Sequence, residues 1–451
     1  MILEINMAIQ SKIKGIISLF ARKDNKNASI ALIGNLLFSI LGFISIAILA
    51  RSLSITDFGS WTIYLTAATL IEMMRSGFLH TALIKFCSGN SLSEQKKYIA
   101  SGWLLGISFT LIISLLLLGL NLIFNINNTP YALFLKLYPL LSLASLPFSI
   151  STSLLQFKMQ FGKMVLLKTM NMILTLIVFA STFFIKINTE QLITLHIMSN
   201  AITSIISISL KWSGVEYIKH VSTNKIKEIS HFGKYTFGTL IGTNLLKSSD
   251  TFIIGATLGS DKAALYAIPL KLTEVFEILL RSFVSVALPK MSASFSNNKI
   301  KETQNTFQEY SGLLSILYIP IMIICFSLAE FIVQLFGGNN YSGIADVFRI
   351  FCFYGLLLPI DRFTGVTLDV INLPRYNFYK VFIMVTFNIT FDLIVLQFTN
   401  DLKFIALGTV LTAALGIATG IIYLNKTIHT NIKVILYSGI KTIRAYKAEF
   451  H

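Results

Sequence analysis

A chain of 451 residues with 54% hydrophobic and only 13% charged residues, and a mean hydropathy of +0.72, lies far outside the soluble globular range, where about a quarter of residues are charged. It reads as an all-α integral membrane protein, because apolar runs of about 20 residues exclude a β-barrel, whose strands alternate over roughly 10. In such a chain the formal charge of +16 concerns the placement of loop charges and not nucleic-acid binding, and Cys87, Cys325 and Cys352 are too scattered for a disulfide framework.

Residues 1–27 do not form a cleavable signal, since Lys12, Lys14, Arg22 and Lys23 interrupt the segment and no small-residue cleavage site follows an apolar core. Ile9, Ile13, Ile16, Ile17 and Phe20 share a helical stripe, so this stretch is expected to be an interfacial segment. Apolar segments then follow at 28–50, 58–86, 98–124, 131–155, 164–186, 189–210, 235–258, 263–288, 310–335, 346–371, 377–399 and 404–425. The expected organisation is a six-helix lobe over 28–210, a basic interfacial linker over 211–234, a second six-helix lobe over 235–425 and a basic tail over 426–451.

Loop charges test this count. Alternate loops and both termini carry 26 of the 37 Lys and Arg, with Lys380 assigned to one of those loops; the opposite side holds only Arg51, Lys136, Lys186, Lys262 and Lys403, and the other six lie within spans. That asymmetry predicts twelve transmembrane helices with cytoplasmic N- and C-termini, because a missed or invented helix would scramble the alternation. A faint internal repeat agrees. Ala82-Leu83-Ile84-Lys85 and Ala287-Leu288-Pro289-Lys290 are 205 positions apart, and Ile33-Gly34-Asn35 precedes Ile241-Gly242-Thr243 by 208, close to half the chain.

Charges inside the spans carry the functional signal, because each costs about 2.5–3.5 kcal/mol at the bilayer centre unless it faces protein or water. Glu72 and Arg75, three apart, share one face of segment 58–86. Lys271, Glu274, Glu277 and Arg281 form one stripe on segment 263–288, and segment 235–258 adds Lys247 and Asp250. Two readings stay open: a hydrated cavity, or intrahelical pairs of Lys271 with Glu274 and Glu277 with Arg281 that serve packing. Acids slightly outnumber cations over all spans. A pyrophosphate group calls for Arg and Lys, whereas proton or sodium coupling calls for buried carboxylates, and this chain offers both. His80 and His196 read as hydrogen-bonding core residues. The sequence has no phosphate-binding Gly-Lys-Ser/Thr loop, no metal-ligand cluster and neither HExxH nor GxSxG, so no catalytic residue, metal or cofactor is expected, and the chain is not expected to be an enzyme.

Ala50-Arg51-Ser52-Leu53 followed by Asp57-Phe58-Gly59, Arg75-Ser76-Gly77-Phe78 leading to Ala82-Leu83-Ile84-Lys85, and Asp250-xx-Ile253-Ile254-Gly255 resemble the Wzx-type polysaccharide-unit flippases of the multidrug/oligosaccharidyl-lipid/polysaccharide export superfamily. The resemblance implies two pseudo-symmetric six-helix lobes around a central cavity in the bacterial inner membrane. It implies alternating-access translocation of undecaprenyl-pyrophosphate-linked oligosaccharide for O-antigen or another surface polysaccharide, with membrane lipids and a polysaccharide polymerase and chain-length regulator as partners. On this reading Arg75, Lys247, Lys271 and Arg281 would bind substrate, and Glu72, Asp250, Glu274 and Glu277 would balance the cavity or couple ions. Replacing Arg75 or Arg281 is expected to lower flipping with little loss of folded protein. A cation-coupled drug or metabolite exporter of the same superfamily and a non-transporting scaffold of a polysaccharide assembly complex are the alternatives.

Overall fold

The computed structural model of the chain describes residues 23–88, 90–124 and 129–448. The N-terminal segment expected over 1–27 lies almost wholly outside them. Among the described residues the structure is helical without strands, as a lipid environment demands, since a helix satisfies its own backbone hydrogen bonds. The long helices are α1 (Lys23–Ser52), α2 (Ile55–Cys87), α3 (Leu92–Phe124), α4 (Ala132–Phe157), α5 (Phe161–Ser181), α6 (Thr189–Ser209), α7 (Thr223–Thr257), α8 (Ser260–Ser296) and α9 (Ile300–Ser327). After the short α10 (Ala329–Gly337) come α11 (Ala345–Val370), α12 (Pro374–Val395), α13 (Leu402–Leu424) and the tail helix α14 (Ile432–Ala448).

Leaving out α10 and α14, twelve helices of at least 21 residues match the twelve apolar segments, and at about 1.5 Å per residue each is long enough to cross a hydrocarbon core. Nine of the twelve are also apolar enough to qualify as spans on length and composition. The other three, α2, α7 and α8, are those that carry Glu72 and Arg75, Lys247 and Asp250, and the stripe from Lys271 to Arg281. On α3 the outward positions Leu115, Leu118, Leu122 and Ile123 are 61–77% exposed, a surface fit for lipid.

By internal contacts the chain divides into two compact units. The first gathers 23–48, 71–124 and 132–237, so it contains most of α1, the second half of α2, helices α3 to α6 and the start of α7. Its core includes Ala82, Leu83, Tyr98, Trp103, Leu146, Ile150, Leu154 and Ile229. Trp103 Nε1 donates to Ser213 O at 3.0 Å, and the chain turns there through Gly214, whose φ of +65° suits glycine. A 3-10 turn follows at Val215–His220, and α7 then begins with polar turns that bury Ile229 and set Lys225 and Glu228 against Tyr98 of α3. Residues 211–234 therefore form a 3-10 turn and the first turns of α7.

The second unit gathers 49–70, 129–131 and 238–448. Its core stacks Phe276 on Phe348 with centroids 6.3 Å apart and sets Tyr266 edge-on to Phe351 at 5.6 Å. On α13 the spacing Gly416-xxx-Gly420 permits close helix packing: a Cβ at Gly420 would lie 2.6 Å from Thr364 Oγ1 of α11. The apolar run at 310–335 does not continue as one helix. It breaks after Ser327, and α10 resumes as a separate amphipathic turn with Val333 buried and Phe331 exposed.

Candidate functional site

The site residues expected from sequence fall in three clusters of the described structure, one in the first unit and two in the second. In the first, Arg75 is only 1% exposed and forms an ion pair with Glu72 on its own helix. Its Nη1 donates to Ser142 O at 2.5 Å and Ser142 Oγ at 3.0 Å, and Nη2 donates to Ser145 Oγ at 2.9 Å. Tyr138 donates its hydroxyl to Glu72 Oε1 at 3.1 Å. The seryl and tyrosyl groups of α4 thus enclose the pair. A guanidinium held this way can brace α2 against α4, and both of its terminal nitrogens are engaged.

The second cluster is open. Lys247 of α7 donates to Glu277 of α8 at 2.7 and 3.0 Å, and Arg281 Nη2 donates to Glu277 Oε2 at 2.7 Å, so two cations share one carboxylate. Lys247 is 57% and Arg281 65% exposed, whereas Glu277 is 18% exposed. Further along the stripe Lys271 pairs with Glu274 at 2.7 Å. Both intrahelical pairs foreseen from spacing are present, yet the cations remain accessible. Three cations stand against two carboxylates on this face. Mid-helix charges this exposed, in helices long enough to cross the bilayer, require water on that face.

The third cluster is buried and acidic. Asp250 of α7 is 4% exposed and accepts hydrogen bonds from Tyr266 of α8 at 2.5 Å and from Thr409 of α13 at 2.8 Å. Asp392 of α12, fully buried, lies beside it, one helical turn beyond Asn388, whose Oδ1 accepts from Ser249 at 2.7 Å. Asp250 Oδ1, both Asp392 carboxylate oxygens and Asn388 Nδ2 have no hydrogen-bond partner among the described residues. Two neighbouring carboxylates in a low dielectric, that of Asp392 without a hydrogen bond among the described residues and that of Asp250 with one oxygen unpartnered, repel strongly, so the pocket calls for a proton or a small cation. Its donors are oxygens with one amide, a set suited to a hard cation and unsuited to zinc or copper. Among the described residues no group of three or more His, Cys, Asp or Glu is arranged to hold a metal.

Of the residues singled out in sequence, Lys247, Lys271, Glu274, Glu277 and Arg281 share the open face of α7 and α8. Glu72 and Arg75 lie together in the first unit, and Asp250 lies in the buried pocket. Sequence reasoning left Asp392 and Asn388 without a role and missed Tyr266, Thr409 and Ser249; the four-residue spacing of Asn388 and Asp392 on α12 is the signal that could have raised them. Lys380 needs correction. It is not a loop cation but sits 3% exposed inside α12, paired with Asp361 at 2.7 Å and donating to Thr364 Oγ1 at 2.9 Å. Because α12 already begins at Pro374, Lys380 falls in its second turn and needs a buried counter-charge. His80 meets Ser153 at 2.6 Å and His196 lies close to Asn200, as hydrogen-bonding core residues do.

A family profile described as "Polysaccharide biosynthesis protein" matches residues 48–346. No curated protein matches the sequence. Among solved structures, an inward-facing multidrug resistance MATE family transporter of the MOP superfamily is similar at a TM-score of 0.73 and 11% identity, covering 86% of this chain and 95% of that one. The lipid II flippase MurJ in an inward closed conformation is similar at 0.72 and 17% identity, over 91% of this chain and 90% of that one. A MOP superfamily transporter from Pyrococcus furiosus, whose binding pocket is described as of reverse polarity, follows at 0.57 and 10% identity, over 88% and 94%. At these identities the likeness is one of fold, and the fold is that of MOP transporters.

Proposed function

Because this chain belongs to the polysaccharide biosynthesis protein family, we propose that it is a flippase moving undecaprenyl-pyrophosphate-linked oligosaccharide units across the bacterial inner membrane for O-antigen or another surface polysaccharide. The observation that carries this reading is the solvent-exposed Lys247–Glu277–Arg281 group in the middle of helices otherwise long enough to span the bilayer. A pyrophosphate needs at least two cations, and guanidinium binds phosphate oxygens bidentately. Here both cations are held in place by Glu277 before substrate arrives. When the head group enters, Lys247 and Arg281 exchange part of the Glu277 carboxylate for phosphate oxygens, so no cation is left bare at either stage. Lys271 and Glu274 extend the same polar stripe toward the sugars.

Alternating access would carry the head group across while the polyprenyl tail stays in lipid. The pocket of Asp250 and Asp392 supplies a place for the coupling ion, a proton or a monovalent cation. That pocket also favours the second reading, a cation-coupled exporter of a drug or metabolite. A polymerase and a chain-length regulator fit as partners of the flippase reading alone.

The test is lipid analysis by mass spectrometry in a strain lacking the gene. Complete oligosaccharide units accumulating on undecaprenyl pyrophosphate, with surface polysaccharide lost, are the expected result. Normal surface polysaccharide without accumulation would overturn the flippase reading in favour of the exporter.

A further inference from the structure

We propose that α14 is a docking strip for anionic phospholipid headgroups, held within the second unit by backbone contact with α9. The contact is intimate. A Cβ at Gly312 would lie 2.0 Å from Ile435 O, and one at Gly439 would lie 2.3 Å from the carbonyl carbon of Gly312, so only glycine at both positions allows the two backbones to meet. Gln304 donates to His429 O at 2.5 Å and Gln308 to Thr430 Oγ1 at 3.2 Å, which fixes the start of the tail along the same helix. Residues 429, 430, 435 and 439 thus meet 304, 308, 312 and 316 in order, and α14 runs in the direction of α9.

At 100° per residue the helix then divides into three arcs. Ile435 and Gly439 are buried against α9. Beside them Ile432 and Ile440 form an apolar flank that is 45% and 42% exposed. The outer arc carries Lys433, Tyr437, Lys441 and Arg444, all exposed. No acidic residue occurs from 426 to 448 to neutralise them. A helix with one docked face, a bare apolar flank and an outer arc whose charges are all positive suits the boundary where acyl chains meet phosphates. Continuity with lipid-facing surface selects that occupant over a protein: α14 runs toward the stretch of α9 where Leu317, Ile319 and Ile323 are 37–59% exposed.

The test uses the full chain in vesicles and does not depend on what the protein transports. Tyr437→Cys is introduced with Cys325→Ser, leaving Cys87 and Cys352 buried, and is labelled with bimane. Quenching by phosphatidylglycerol brominated in its acyl chains is compared with that by equally brominated phosphatidylcholine at equal mole fraction. A label at Leu115 of α3, a lipid-facing position, serves as reference. The expected result is severalfold stronger quenching by phosphatidylglycerol at 437 than by phosphatidylcholine, weakened by salt, with no preference at 115. In the Lys433→Gln, Lys441→Gln, Arg444→Gln variant, which changes only exposed side chains, the preference at 437 falls to about one. Equal quenching by both lipids in the parent, no quenching by either, the same preference at 115, or an unchanged preference in the triple variant would each overturn the proposal.

Discussion

Two acid–base pairs on neighbouring turns, Glu72–Arg75 in the first unit and Glu277–Arg281 in the second, look alike in sequence and end in opposite environments. Arg75 is walled in by Ser142, Ser145 and Tyr138, while Arg281 projects with two thirds of its surface exposed. Charge spacing along a helix therefore reports only that a face is polar. Whether that face is a brace or a binding surface is decided by what the adjoining helix presents: hydroxyls that engage both terminal nitrogens of the guanidinium, or a second cation, Lys247, that leaves hydrogen-bonding capacity to spare.

The sharpest way to break the comparison is Arg75→Ala. Removing one member of a buried pair strands the other, at a cost of about 3–5 kcal/mol. Burial thus revises the expectation from sequence, and the variant should lose folded protein, read as a lower melting temperature in detergent. Unchanged melting with lost transport would instead make Arg75 a substrate ligand. Next in size is Asp392→Asn, which should keep the fold and reduce transport in reconstituted vesicles by at least about tenfold, with loss of the ion dependence, because the pocket no longer needs a compensating charge. Retained ion dependence would move the coupling site elsewhere.

A smaller effect is expected for Arg281→Ala, about tenfold in head-group affinity, equivalent to about 1.4 kcal/mol, with melting unaltered. Equal losses of stability at Arg281 and Arg75 would erase the distinction between the two pairs. The smallest belongs to the polar start of α7. There Lys225 donates to the Tyr98 hydroxyl at 3.1 Å, and Tyr98 donates to Glu228. The Tyr98 bond, followed by Glu94 and Glu228, holds Lys225 above the ordinary ammonium range, and Tyr98 with Lys225 holds Glu228 below the ordinary carboxylate range. A depressed carboxylate stabilises the fold above its unfolded pKa of about 4.3 and loses that contribution as pH falls through the lower folded value. Glu228→Gln should therefore flatten the acid limb of the melting profile by less than about 1 kcal/mol, since the group is partly solvated. A profile identical to the parent's would show the Tyr98 contact to be without weight.

The helices and the polar stripe on α8 were legible because both follow from spacing within a single element. The enclosure of Arg75 was not, since Ser142 and Ser145 read as small packing residues until α4 is laid against α2. The acidic pocket draws on α7, α8, α12 and α13, so Asn388 and Asp392 offered a shared face but no partner. Lys380 was misread for a simpler reason: Arg375 and Tyr376 nearby resemble a loop, and nothing local reveals Asp361 across the helix pair.

That last pair has a consequence for how the chain can change. A Cβ at Gly416 would sit 2.5 Å from Asp361 Oδ1, so the carboxylate, the ammonium of Lys380 and the bare backbone of α13 occupy one another's space. None of the three can be replaced alone without a clash or a stranded charge, whereas exchanging both charges for apolar groups of similar volume is often neutral. Asp361 and Lys380 are thus expected to tolerate exchange as a pair better than either tolerates exchange alone, read as melting temperatures of the single and double variants.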